Sequence, residues 1–68
     1  MPRRRPATLD DAKTFNVFGM LQIDMEALEA RLVLGSSLEI EESEFKDPGP
    51  DYSALLLDGA RIGYWRGY

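Results

Sequence analysis

Sixty-eight residues allow one small domain, close to the lower limit at which an apolar core holds a chain together unaided. The chain has no cysteine and no histidine, which excludes disulfide or zinc reinforcement and removes the commonest general base and metal ligand. Its net charge of −4 is uneven: without Arg3, Arg4 and Arg5 the remainder holds 12 acids against 5 bases (8 − 3), a charge of −7.

The chain opens on a basic arm, residues 1–7, in which Pro2 and Pro6 enclose the three arginines. Two prolines and three like charges disfavour a regular element, so this arm is expected to be flexible. It lacks the apolar stretch of a signal peptide, and no apolar run is long enough to span a bilayer, so the expected location is the cytoplasm. Residues 8–68 form the expected single domain.

Thr8-Leu9-Asp10-Asp11 has the form of a helix start, with a hydroxyl cap and two acids at the positive end of the dipole. Residues 14–23 then support two readings. Phe18, Leu21, Met25, Leu28 and Leu32 recur at helical spacing, whereas Phe15, Val17, Gly19, Leu21 and Ile23 alternate as a strand does. A first helix from about Leu9 to Met20, broken near residues 22–24, is the expectation. A second helix follows more firmly. Asp24 caps it, Glu26 and Arg31 suit its two ends, and Gly35 supplies a left-handed stop. Met25, Leu28 and Leu32 should face the sheet.

Leu38-Glu39-Ile40-Glu41-Glu42 alternates apolar and acidic, the pattern of a half-buried strand. Asp47-Pro48-Gly49-Pro50 should end it in a turn, which would set Phe45 opposite Tyr52 and Ile40 opposite Leu57. Downstream, two apolar runs flank Asp58-Gly59, the pair best suited to a two-residue type I′ hairpin. A regular register sets Leu57 opposite Ala60, Leu55 opposite Ile62, Ser53 opposite Tyr64 and Tyr52 opposite Trp65. Leu55, Leu57, Ile62 and Tyr64 then face the core, while Tyr52, Leu56 and Trp65 line the second face beside Arg61. The expected fold is α+β: one or two N-terminal helices on a three-stranded antiparallel meander.

That second face carries the candidate site. Glu39, Glu41, Glu42, Glu44 and Asp47 form an acidic border beside Phe45, Tyr52 and Trp65, a composition suited to protein contact. Carboxylates on alternate strand residues recur at about 7 Å, close to the spacing of phosphates along a stretched strand of nucleic acid. Such a ladder can occupy a basic site on a larger partner. The bland reading of the same acids is an edge strand protected by charge. A homodimer or assembly subunit packing through the aromatic face is the alternative function. Direct nucleic-acid binding through Arg3, Arg4 and Arg5 with Arg61 and Arg66 is opposed by the acidic body. No residue pattern points to catalysis, a cofactor or a metal, so the chain is read as a non-enzyme.

In size, acidity and helix-plus-sheet outline over residues 8–68, the chain resembles the small acidic inhibitors encoded by phages and mobile elements, anti-CRISPR proteins among them. The resemblance implies a non-catalytic inhibitor that occupies a nucleic-acid or partner site on a larger complex. It rests on outline and assigns a role to no individual residue.

Overall fold

The structure, a computed structural model, describes residues 3–46 and 49–66, with the backbone alone for residues 45 and 46. The fold is α+β, as the sequence indicates, but the sheet is wider than a meander of three.

The first element is a strand. β1 (Arg3–Pro6) pairs antiparallel with β3 (Leu38–Glu42), setting Arg3 against Glu42, Arg4 against Glu41, Arg5 against Ile40 and Pro6 against Glu39. The expected flexible arm is thus, over its described part, the edge of the sheet. Pro6 is tolerated because amides alternate in direction along an antiparallel pair. Ala7 donates its N–H to Leu38 (2.9 Å), so the neighbouring Pro6 occupies a position whose missing N–H would point away from β3. The arginines meet carboxylates across the pair, and this offsets the self-repulsion that argued against order.

α1 (Leu9–Phe18) starts as its composition dictates. The Asp11 amide donates to the Thr8 hydroxyl (3.4 Å) and the Thr8 amide donates to the Asp11 carboxylate (2.8 Å), a reciprocal capping box. Ala12 and Phe15 are buried on its inner face. The helix stops at Phe18, two residues short of expectation, because the chain must there meet the sheet. A Cβ on Gly19 would lie 2.6 Å from the Tyr64 carbonyl oxygen, so only glycine allows this approach. β2 (Met20–Leu21) then pairs with β7 (Ala60–Trp65). Both readings of residues 14–23 hold in part: helix to Phe18, strand from Met20.

α2 (Met25–Val33) begins at Asp24, whose carboxylate accepts from the Ala27 amide at 2.9 Å, and Gly35 follows its end at φ 104°. Leu28 is fully buried, and Met25 and Leu32 pack against the core, as their spacing predicts.

β3 leads into β4 (Phe45–Lys46), and β5 (Gly49–Pro50) into β6 (Ser53–Leu57). The partners are Phe45–Pro50, Glu42–Ser53, Ile40–Leu55 and Leu38–Leu57. Residue numbers in each pair add to 95 (45 + 50, 42 + 53, 40 + 55), so one register runs along the whole hairpin. This differs from the expected four-residue loop at 47–50. Gly49 and Pro50 belong to a strand, so Phe45 does not oppose Tyr52 and Ile40 meets Leu55.

The five-stranded sheet has the order β1-β3-β6-β7-β2, and β4-β5 forms a separate two-stranded piece. Both helices lie on one face. The core there is Ala12, Phe15, Leu28, Leu38, Ile40, Leu55 and Leu57.

Candidate functional site

The hairpin at Asp58-Gly59 forms as the sequence predicts, with φ of 50° and 85° and Leu57 opposite Ala60. Asp58 also does a second job. Its carboxylate accepts from the Ser37 amide (2.9 Å) and from Arg31 (3.4 Å), and its amide donates to the Ser37 carbonyl (2.9 Å). The hairpin tip is thereby tied to the end of α2. The backbone hydrogen bond from Ser37 is the main cause holding the Asp58 carboxyl below its ordinary value, with Ser36 and Arg31 adding to it.

Beyond the first two pairs the register shifts. Leu56 faces Arg61, but Leu55 faces Gly63, Ala54 faces Tyr64 and Ser53 faces Trp65, so Ile62 is the extra residue of a β-bulge. A slip of one residue sends each later side chain to the other face. Trp65 therefore turns inward, against Phe15 (6.4 Å, 80°) and Phe18 (6.4 Å, 32°). Tyr64 turns outward and stacks on Tyr52 at 5.9 Å and 17°. This corrects the expected placement of Trp65 beside Tyr52, and of Tyr64 in the core.

Two physical effects favour the bulged register. A Cβ at Gly63 would stand 3.2 Å from atoms of Leu21, Leu55 and the Met20 backbone, so the core position opposite Leu55 suits a residue without a side chain. The bulge also half-buries the indole, the larger apolar surface, against the core and leaves the phenol hydroxyl of Tyr64 near water. An isolated glycine within a strand pattern is the sequence signal for such a bulge, and Gly63 carried it.

The outer face is built in rows that cross the sheet. One row crosses the sheet as Pro6, Glu39, Leu56 and Arg61; the next as Arg4, Glu41, Ala54, Tyr64 and Met20. Leu56 and Ala54 are buried in the middle. Tyr64 is 37% exposed and Met20 67%. The Arg61 guanidinium lies 5.9 Å from the Tyr64 ring centre, within cation–π range. Met20, Gln22, Arg61, Gly63 and Tyr64 line a shallow depression at the β7–β2 side.

The predicted site residues fare unequally. Glu39, Glu41 and Tyr52 share the outer face, in successive rows along the strands. Glu41 is approached by Arg4 (3.9 Å) and Glu42 by Arg5 (3.1 Å), with Glu42 on the opposite face from Glu41. Glu44 is exposed between β3 and β4. The Phe45 side chain and Asp47 lie outside the described residues. Tyr64, Arg61 and Met20 complete the cluster; of these only Arg61 was placed near it from sequence.

The carboxylate ladder is therefore not a free edge. β1 covers β3, and two of its acids are matched by arginines of the same chain. Among the described residues no group of three or more acids is placed to hold a metal ion, and no helix is long and apolar enough to cross a membrane. No known protein family, characterised protein or solved structure matches this chain.

Proposed function

We propose that the chain is a non-enzymatic protein-binding inhibitor or adaptor that lays the outer face of its sheet on a larger partner. The observation that carries this reading is the Tyr52–Tyr64 stack at 5.9 Å on a face that neither helix covers, with Glu41 in the Tyr64 row and Glu39 one row further along. Rigid aromatics with few rotatable bonds make strong contact anchors, because little side-chain entropy is lost when they bind. Glu39 sits between Pro6 and Leu56 and has no cation directly across either strand pair. A partner cation can meet it there. The partner surface is accordingly basic next to an apolar or planar group. Mimicry of a nucleic acid draws less support than a mixed contact, since Arg4 and Arg5 lie on two of the acids.

The test is affinity capture by the intact chain from extracts of the cells that express it, with Tyr52→Ala/Tyr64→Ala and Glu39→Lys compared in parallel. Both variants should lose the captured protein while retaining the fold. Capture that survives both variants refutes the reading.

A second reading is a homodimer through the same face. Leu56 lies between Glu39 and Arg61 in one row, so a two-fold axis at Leu56 brings Glu39 of each copy over Arg61 of the other. Sedimentation at micromolar concentration decides. Glu39→Lys should dissociate the dimer and Glu39→Lys/Arg61→Glu should restore it; a monomer throughout removes this reading.

A further inference from the structure

The exposed side of α2 has a composition that burial does not explain. An amphipathic surface helix turns polar residues to water. Here Met25, Leu28 and Leu32 occupy the core side, yet Val33 and Leu34 on the other are 80% and 83% exposed. They are more exposed than any other large hydrophobic of the described residues. Glu26, Glu29 and Ala30 lie one and two turns before them, and the five residues make up one open, nearly flat face of the helix.

The charges around this apolar patch have a single sign. Glu26 and Glu29 border it on the N-terminal side, and neither has an ion pair or hydrogen bond among the described residues. The helix end, with its negative dipole, borders it on the C-terminal side. Arg31, the one cation of the helix, is directed to Asp58 at 3.4 Å. The patch is thus apolar in the middle and negative at both ends.

We propose that this helix face is a second docking surface, separate from the outer sheet face, and that its occupant is a basic amphipathic helix of another protein. Two apolar side chains one turn apart cover Val33 and Leu34, and lysines or arginines flanking them meet Glu26 and Glu29 at one end and the helix terminus at the other. A second copy of this chain fits poorly, because antiparallel α2 helices would set Glu26 and Glu29 on the partner's Val33 and Leu34. An anionic membrane fits poorly for the same reason of sign.

The probe is a synthetic helical peptide with two leucines one turn apart, flanked by lysines, titrated into the isotope-labelled full chain. Amide shifts should concentrate at residues 26–35 and leave Tyr52 and Tyr64 unmoved. Val33→Ser/Leu34→Ser should weaken binding at least about tenfold, and Glu26→Gln/Glu29→Gln about fivefold with a weaker salt dependence. None of these four side chains belongs to the core, so the variants keep the fold. No shift at millimolar peptide, equal binding of a glutamate-flanked control, or shifts centred on the outer sheet face would each overturn the proposal. So would self-association, or binding to phosphatidylserine vesicles, that the double serine variant abolishes.

Discussion

The bulge at Ile62 makes a quantitative claim about which aromatic residues touch. Phe15 and Trp65 meet edge to face at 6.4 Å, and Tyr52 and Tyr64 stack at 5.9 Å. Aromatic pairs of this kind are worth about 0.5–1.5 kcal/mol beyond the area they bury. Truncating Phe15, which is buried, costs more than that through lost transfer energy, but a double-mutant cycle removes the single-site costs. With Phe15→Leu and Trp65→Leu, urea unfolding followed by circular dichroism should give a coupling of about 1 kcal/mol. Leucine retains apolar volume at both positions, so the cycle stays within the folded range of a small domain. The Tyr52/Tyr64 cycle, with leucine substitutions, should give a similar coupling, discounted toward about 0.5 kcal/mol because Tyr64 is 37% exposed. The crossed cycles, Phe15 with Tyr64 and Tyr52 with Trp65, should show none. A regular hairpin reverses this outcome. Coupling between Tyr52 and Trp65, with none between Phe15 and Trp65, would refute the bulge and with it the outer face described above.

Other expectations follow from single residues. Leu28→Ala, at a fully buried position, should cost about 2–5 kcal/mol and lower the urea midpoint more than any surface change. Gly59→Ala places a Cβ at φ 85° with open space around it, so backbone strain alone should cost about 1–2 kcal/mol in thermal unfolding. Gly19→Ala should be worse, because its Cβ meets the Tyr64 carbonyl at 2.6 Å, and amide shifts should show β2 leaving β7. Asp58 has a folded-state pKa below its ordinary value of 3.8, so its contribution to stability is present above about that pH and is lost as pH falls through the lower folded value. Asp58→Asn should therefore flatten the acid limb of a stability profile below pH 3.8, while an unchanged limb would contradict the tie to Ser37.

Much of this architecture was legible in local residue chemistry. Thr8 with Asp11, Asp24 before Met25, and Asp58-Gly59 each satisfy a requirement within a few residues of themselves, so reading them needs no knowledge of the fold. β1 was not legible for the opposite reason. Arg3, Arg4 and Arg5 read as a repelling tail until Glu41 and Glu42 are set across from them, and those partners lie 37 residues away. The candidate site divides in the same way. Glu39, Glu41 and Tyr52 keep their expected face because the alternation of β3 and β6 is regular. Trp65 and Tyr64 exchange places because their face depends on one extra residue at Ile62.

By itself, then, the order of amino acids determined the helix starts, the reversal at Asp58-Gly59, the apolar side of β3 and the class of the fold. Each of these follows from short-range hydrogen bonding or from periodicity. Tertiary structure alone decided that the arginines join the sheet, that α1 yields to a strand at Gly19, and that the indole turns inward while the phenol turns out. Those choices are set by which side chains fit the space between the helices and the sheet, and a pattern along the chain holds no record of that space.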